Sequence, residues 1–140
     1  MESDATRHGE SPGGIVKKVL VVDDSETIRQ HVAEALTRVG FQVIEASDGA
    51  AGLQRVGQHD FSMIILDVNM PLLNGLEMLE RLKQDPKTAS IPVLMLTTEA
   101  QRSMIERARQ NGAKAWLIKP IKVESLVSTV NKVLQQQGAA

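Results

Sequence analysis

Three stretches of this sequence are apolar at every position: Val19-Leu20-Val21-Val22, Met63-Ile64-Ile65-Leu66 and Val93-Leu94-Met95-Leu96. Each is too short for a helix, and none alternates as a strand with one wet face does. Such runs read as strands covered on both sides, which is the habit of parallel sheets. "FQVIEA" and "AKAWLI" read as two further strands. Between the five lie segments with helical periodicity. In "ETIRQHVAEALTRVG", Ile28, Val32, Leu36 and Val39 fall near helical spacing and Gly40 is a stop signal. "DGAAGLQRV" starts at Ser47 or Asp48, and "NGLEMLERLKQD" carries Asn74 as cap with Glu77 three residues on. "EAQRSMIERARQNG" ends at Asn111-Gly112, and "KVESLVSTVNKVLQQQ" is the last helix.

The unit β-α therefore repeats five times. Right-handed crossovers place helices on both faces of a doubly wound parallel sheet, an α/β fold. Five strands fit the flavodoxin-like order 2-1-3-4-5. At 140 residues the chain suits one domain, expected over 17–137. Residues 1–16 are polar, with too little apolar surface to offset the entropy of ordering, and read as a disordered tail. Residues 138–140 read as a short C-terminal tail. The aromatic residues are Phe41, Phe61 and Trp116, so the core must be aliphatic; the methionines Met63, Met70, Met78, Met95 and Met104 read as core or loop filler.

In that strand order, strands 1 and 3 are neighbours at the switch point, where ligands bind beyond the carboxyl ends of the strands. Strand 1 ends in Asp23-Asp24, strand 3 in Asp67, strand 4 in Thr97, and strand 5 in Lys119-Pro120. Three carboxylates, a hydroxyl and an ammonium thus share one rim. Two unit charges ~5 Å apart repel by roughly 3 kcal/mol at an effective dielectric of ~20, so something must offset the carboxylates. Oxygen-only donors suit Mg²⁺, with Mn²⁺ as the alternative. A carboxylate nucleophile beside a metal, a hydroxyl and a lysine is equipment for phosphoryl transfer. Singly, each residue also has a plainer reading. Asp24 or Ser25 can cap the first helix, Thr98 with Gln101 makes a capping-box pattern, and Trp116 at a strand end is either packing or something more.

"VLVVDDS", "MIILDVNMP", "LTTEA" and "AWLIKP", in that order and each at a strand end, resemble the receiver domain of two-component response regulators over about residues 17–137. The stand-alone chemotaxis-type (CheY-like) regulators are the most similar kind. The resemblance implies Asp67 as phosphoacceptor from a histidine kinase or phosphotransfer protein, with Asp24, Asp23, Asp67 and the Asn69 backbone carbonyl around Mg²⁺. Asp24 would bind directly and Asp23 mainly through water. It implies Lys119 and Thr97 as phosphoryl-oxygen partners, Thr97 and Trp116 as switch residues, and a cis Lys119-Pro120 bond. It implies Asn69 and Glu99 as residues that tune dephosphorylation, with a phosphoryl lifetime of seconds to minutes. A downstream protein partner would meet the face over 101–130, in motility control or in onward phosphotransfer. The chain would catalyse only its own phosphorylation and dephosphorylation. Three positions depart from the family pattern. Trp116 stands for a smaller aromatic, Thr98 for Ala, Gly or Ser, and Ile121 for Phe; Thr98 narrows the approach to Asp67.

Other classes fit less well. A net charge of −1 lacks the basic excess of a general nucleic-acid or membrane-surface binder. No apolar run reaches the length of a membrane span, and the N-terminus shows no apolar signal-peptide core, so a cytoplasmic setting without membrane insertion is expected. Cysteine is absent, which excludes disulfide and thiolate chemistry. A haloacid-dehalogenase-type aspartyl-phosphate phosphatase wants a second acid two residues after the first, where this chain has Asn69. A flavin module wants a Ser/Thr/Gly-rich phosphate loop after strand 1, where "DDSETI" presents acids. A degenerate receiver would lack one of the five site residues, and all five are present.

Overall fold

The computed structural model describes residues 16–70, 73–98 and 102–139. Nearly all of the tail expected over 1–16 lies outside them, as do Glu99 and Gln101. Five strands alternate with five helices: β1 Lys18–Val22, α1 Glu26–Arg38, β2 Gln42–Ala46, α2 Gly49–Val56, β3 Met63–Asp67, α3 Gly75–Gln84, β4 Val93–Thr97, α4 Arg102–Gln110, β5 Ala115–Ile118 and α5 Val123–Ala139. The sheet is wholly parallel, as the five-fold β-α pattern requires, and its order β2-β1-β3-β4-β5 is the flavodoxin-like one expected.

Alternation along the strands builds two aliphatic cores. Leu20, Val22, Ile64, Leu66 and Met95 pack on one face beneath α2, α3 and α4. Val19, Val21, Met63, Ile65, Leu94 and Leu96 pack on the other beneath α1 and α5. Every residue of β3 and β4 is buried, which is why those runs contain no polar interior position. Met63, Met70, Met78 and Met95 are buried and Met104 packs against the first core, as filler should.

Caps follow the local chemistry. Asn74 Oδ1 accepts from the Glu77 amide while Glu77 Oε1 accepts from the Asn74 amide, the reciprocal box read from the sequence. Asp48, not Ser47, caps α2 by accepting from the Ala51 amide. Ser25, not Asp24, caps α1 by accepting from the Ile28 amide. Gly40 follows α1 with φ 102°, a left-handed backbone that ends the helix.

Two boundaries differ from expectation. β1 stops at Val22, so Asp23 and Asp24 occupy the turn beyond the strand. α5 runs through Ala139, so two of the three residues expected as a tail continue the helix, for Gly138 weakens a helix without forbidding one. The capping pair Thr98 and Gln101 extends beyond the described residues.

Candidate functional site

The rim is held by a backbone ladder that outlasts the strands. The Asp23 amide donates to the Ala46 carbonyl at 3.2 Å, Val68 to Leu96 at 3.0 Å, and Lys119 to Thr97 at 2.7 Å. Each of these bonds fixes a rim residue, or the peptide beside it, to the neighbouring strand. The chain's acids and its lysine are therefore delivered to one place by sheet register.

Asp23, Asp24 and Asp67 come together, each offering a carboxylate oxygen within 4.8 Å of the others. Asp23 and Asp67 are buried and Asp24 is exposed. Lys119 reaches between the two buried acids. Its Nζ donates to Asp67 Oδ1 at 3.1 Å and lies 3.1 Å from Asp23 Oδ2, the latter an ion pair without a hydrogen bond's alignment. The other Asp23 oxygen accepts from the Ser25 amide at 2.9 Å. The Asn69 amide donates to Asp67 Oδ1 at 3.4 Å, and the Asn69 side chain is exposed.

This crowding shifts protonation. Burial pushes the Asp67 carboxyl from its ordinary 3.8 up to about 6; the Asp23 charge adds to the rise and Lys119 opposes it. Burial pulls the Lys119 ammonium down, but Asp67 and Asp23 together outweigh it and leave its pKa above the ordinary lysine value. One lysine thus incompletely offsets its two buried acids, and the exposed Asp24 adds more negative charge at the mouth.

Two buried atoms lack an aligned hydrogen bond, although one of them, Asp23 Oδ2, is ion-paired with Lys119. Asp23 Oδ2 and Thr97 Oγ1 have no hydrogen-bond partner among the described residues, although Thr97 is wholly buried. Three clustered carboxylates that share one lysine fit a hard cation with oxygen ligands. An orphaned hydroxyl on the next strand fits an incoming oxygen acceptor. A buried polar group without a partner is unfavourable, and Thr97 stands at the end of β4, the strand beside β3.

Gly75 follows the Asn74 cap, and its lack of a side chain is required by what lies beside it. A Cβ there would overlap the Asp67 carbonyl and lie 2.8 Å from Val68 Cα, and the Gly75 amide donates to Val68 O at 2.9 Å. The start of α3 therefore rests directly on the backbone of Asp67, an approach only glycine permits. Arg29 was not singled out from the sequence. Its Nη1 donates to the Asp23 carbonyl at 2.7 Å and its Nε pairs with Glu45 Oε1 at 3.2 Å. The principal partner is a backbone carbonyl, which no side-chain spacing can signal.

Trp116 lies on edge strand β5, 36% exposed, in register with Met95 of β4. It falls within the stretch 101–130 expected as the partner face. The Lys119-Pro120 bond is cis, as expected. Glu99 lies outside the described residues. Among those residues no helix is long and apolar enough to cross a membrane.

Comparison with known proteins gives a consistent picture. The family model for the response regulator receiver domain matches residues 19–131. Chemotaxis protein CheY-3 of Vibrio cholerae is 34% identical over 120 residues, covering 85% of this chain and 92% of that one. A probable chemotaxis protein CheY of Rhizobium etli is 34% identical over 117 residues, covering 83% and 91%. Among solved structures, chemotaxis response regulator CheY4 of Vibrio cholerae superposes with a TM-score of 0.80 at 38% identity, covering 85% of this chain and 99% of that one. A response regulator structure from Chloroflexus aurantiacus gives 0.83 at 30% identity, covering 86% and 99%.

Proposed function

The chain belongs to the response regulator receiver family, and from that membership we propose that Asp67 is the phosphoacceptor of a Mg²⁺-dependent signalling switch. A histidine kinase or phosphotransfer protein supplies the phosphoryl group. The observation that carries this reading is the convergence of a buried carboxylate, Asp67, with Lys119 Nζ at 3.1 Å and a buried hydroxyl, Thr97 Oγ1, that has no hydrogen-bond partner among the described residues, at one sheet rim.

An Asp67 carboxylate oxygen forms a bond to phosphorus as the phosphorus–nitrogen bond of the donor phosphohistidine breaks. The donor imidazole leaves with the electron pair. Nucleophilic attack needs the ionised carboxylate, and above about pH 6 Asp67 is predominantly in that form. Asp23, Asp24, Asp67 and the Asn69 carbonyl are the groups that would hold Mg²⁺, Asp24 directly and Asp23 mainly through water. When bound, the metal supplies positive charge against the phosphoryl oxygens. Lys119 exchanges its bond to Asp67 for one to a phosphoryl oxygen. Thr97 donates its hydroxyl to another, which satisfies the orphaned group and draws the following loop inward. Asn69 and Glu99 tune the subsequent hydrolysis.

The output is a change in affinity for a protein partner at the face over 101–130, where Trp116 and Val123 expose apolar surface. Trp116 is the aromatic that turns inward on activation. The names of the chemotaxis relatives favour motility control as the process served.

Incubation of the full chain with Mg²⁺ and acetyl phosphate, followed by intact-mass measurement, tests the chemistry. One added phosphoryl group is expected, absent from Asp67→Asn. An adduct that persists in Asp67→Asn, or none with any donor, would overturn the assignment.

A further inference from the structure

Lys119 has four rotatable bonds between backbone and ammonium, so its precision must come from where its backbone is held. Upstream, the Lys119 amide is fixed to the Thr97 carbonyl at 2.7 Å. Downstream, Pro120 offers no N–H to anchor the chain. The next polar anchor is the Ile121 carbonyl, which accepts from His31 Nε2 at 2.8 Å across 90 residues of sequence. A carbonyl carries no proton, so Nε2 is the donor whether the ring is neutral or charged.

His31 lies on α1, the helix that leaves the Asp23-Asp24 turn through the Ser25 cap. Ile121 lies in the loop that leaves Lys119, its side chain buried at 7% exposure among residues of α1 and α5. One imidazole therefore joins the helix that follows the Asp23-Asp24 turn to the segment that carries the ammonium. We propose that His31 is a positioning residue for Lys119, holding the 119–121 segment on α1 so that Nζ sits between Asp67 and Asp23. This rests on the reading of Asp67 as phosphoacceptor. His31 contacts no reacting group and acts through the Ile121 carbonyl.

Simple stapling of α1 to α5 would affect thermal stability but leave the rate of a folded variant intact. Positioning acts on the rate at saturating donor, because the lysine contact matters most as charge moves onto the phosphoryl oxygens. The comparison uses the full chain, His31→Leu, which keeps bulk and removes the donor, and His31→Gln, which retains an N–H at similar reach. Acetyl phosphate is titrated in Mg²⁺ with intact-mass readout, Mg²⁺ binding is followed by calorimetry, and the melting temperature is recorded.

His31→Leu is expected to lower the maximal phosphorylation rate about tenfold while half-saturating acetyl phosphate and Mg²⁺ affinity change less than about twofold. His31→Gln is expected to recover most of the rate. A wild-type rate in His31→Leu overturns the positioning role, as does a Mg²⁺ affinity that falls in step with the rate. Failure of a stably folded His31→Gln to recover rate overturns it equally. Should His31→Leu not fold, His31→Asn, whose amide falls short of Ile121, replaces it with the same expectations. A wild-type chain that accepts no phosphoryl group overturns the proposed function and this role together; normal wild-type phosphorylation with an unaffected His31→Leu overturns this role alone.

Discussion

Lys119 Nζ stands 3.1 Å from Asp67 Oδ1, a contact between residues 52 positions apart. The lysine is pressed against two buried acids and cannot neutralise both. That imbalance governs how the protein responds to pH, to metal and to substitution at the rim.

Asp67 takes up its proton more readily in the folded chain than in the unfolded one, its pKa being about 6 against an ordinary 3.8. Stability is therefore expected to fall as pH rises between these values and to level off above them. In metal-free buffer, Asp67→Asn removes the penalty. Its melting temperature should exceed wild type by several degrees at ~pH 7.5, with the gap closing as pH drops toward the lower value. A gap that widens in acid would contradict the burial of a charged Asp67.

Asp24 is exposed and does not cap α1, since Ser25 does. Without Mg²⁺, Asp24→Ala should thus raise the melting temperature by relieving repulsion with Asp23 and Asp67. Ser25→Ala should lower stability by about 1 kcal/mol through the lost cap. Adding Mg²⁺ should stabilise wild type more than Asp24→Ala. Thermal melts with and without the metal separate these outcomes; a clear loss in Asp24→Ala would show that this acid is structural.

Thr97 carries a buried hydroxyl with no partner among the described residues. Thr97→Val keeps the shape and removes the unsatisfied group, so a gain of roughly 1–2 kcal/mol in denaturant unfolding is expected. The same variant should hold its acetyl-phosphate adduct with altered lifetime, because one phosphoryl oxygen loses its donor. A destabilised Thr97→Val would mean the hydroxyl is satisfied in solution.

Much of this was legible in the residues. Fully apolar runs required strands buried on both faces, and their alternation with amphipathic helices required the parallel sheet that is observed. Asp67 and Thr97 stood out because a polar residue at the end of such a run has to point at a rim. Arg29 and His31 did not stand out. Their partners are the carbonyls of Asp23 and Ile121, and backbone atoms leave no mark in side-chain patterns. Nor did Gly75 stand out, because its constraint, contact with the Asp67 backbone, joins segments that meet only in the folded chain.

Hydrophobic periodicity and strand-end chemistry by themselves pointed to the fold class and to the five rim residues, because those depend on local spacing and on a sheet's two-sided burial; the strand order was the one that five strands fit, and the register of the folded sheet decided it. Tertiary structure alone decided that Ser25 caps in place of Asp24, that Lys119 bridges both buried acids, that Asp67 is held to a raised pKa, and that His31 reaches the loop beyond the lysine. Those outcomes depend on desolvation and on distances of a few ångströms between residues far apart in sequence, which exist only once the sheet has set its register.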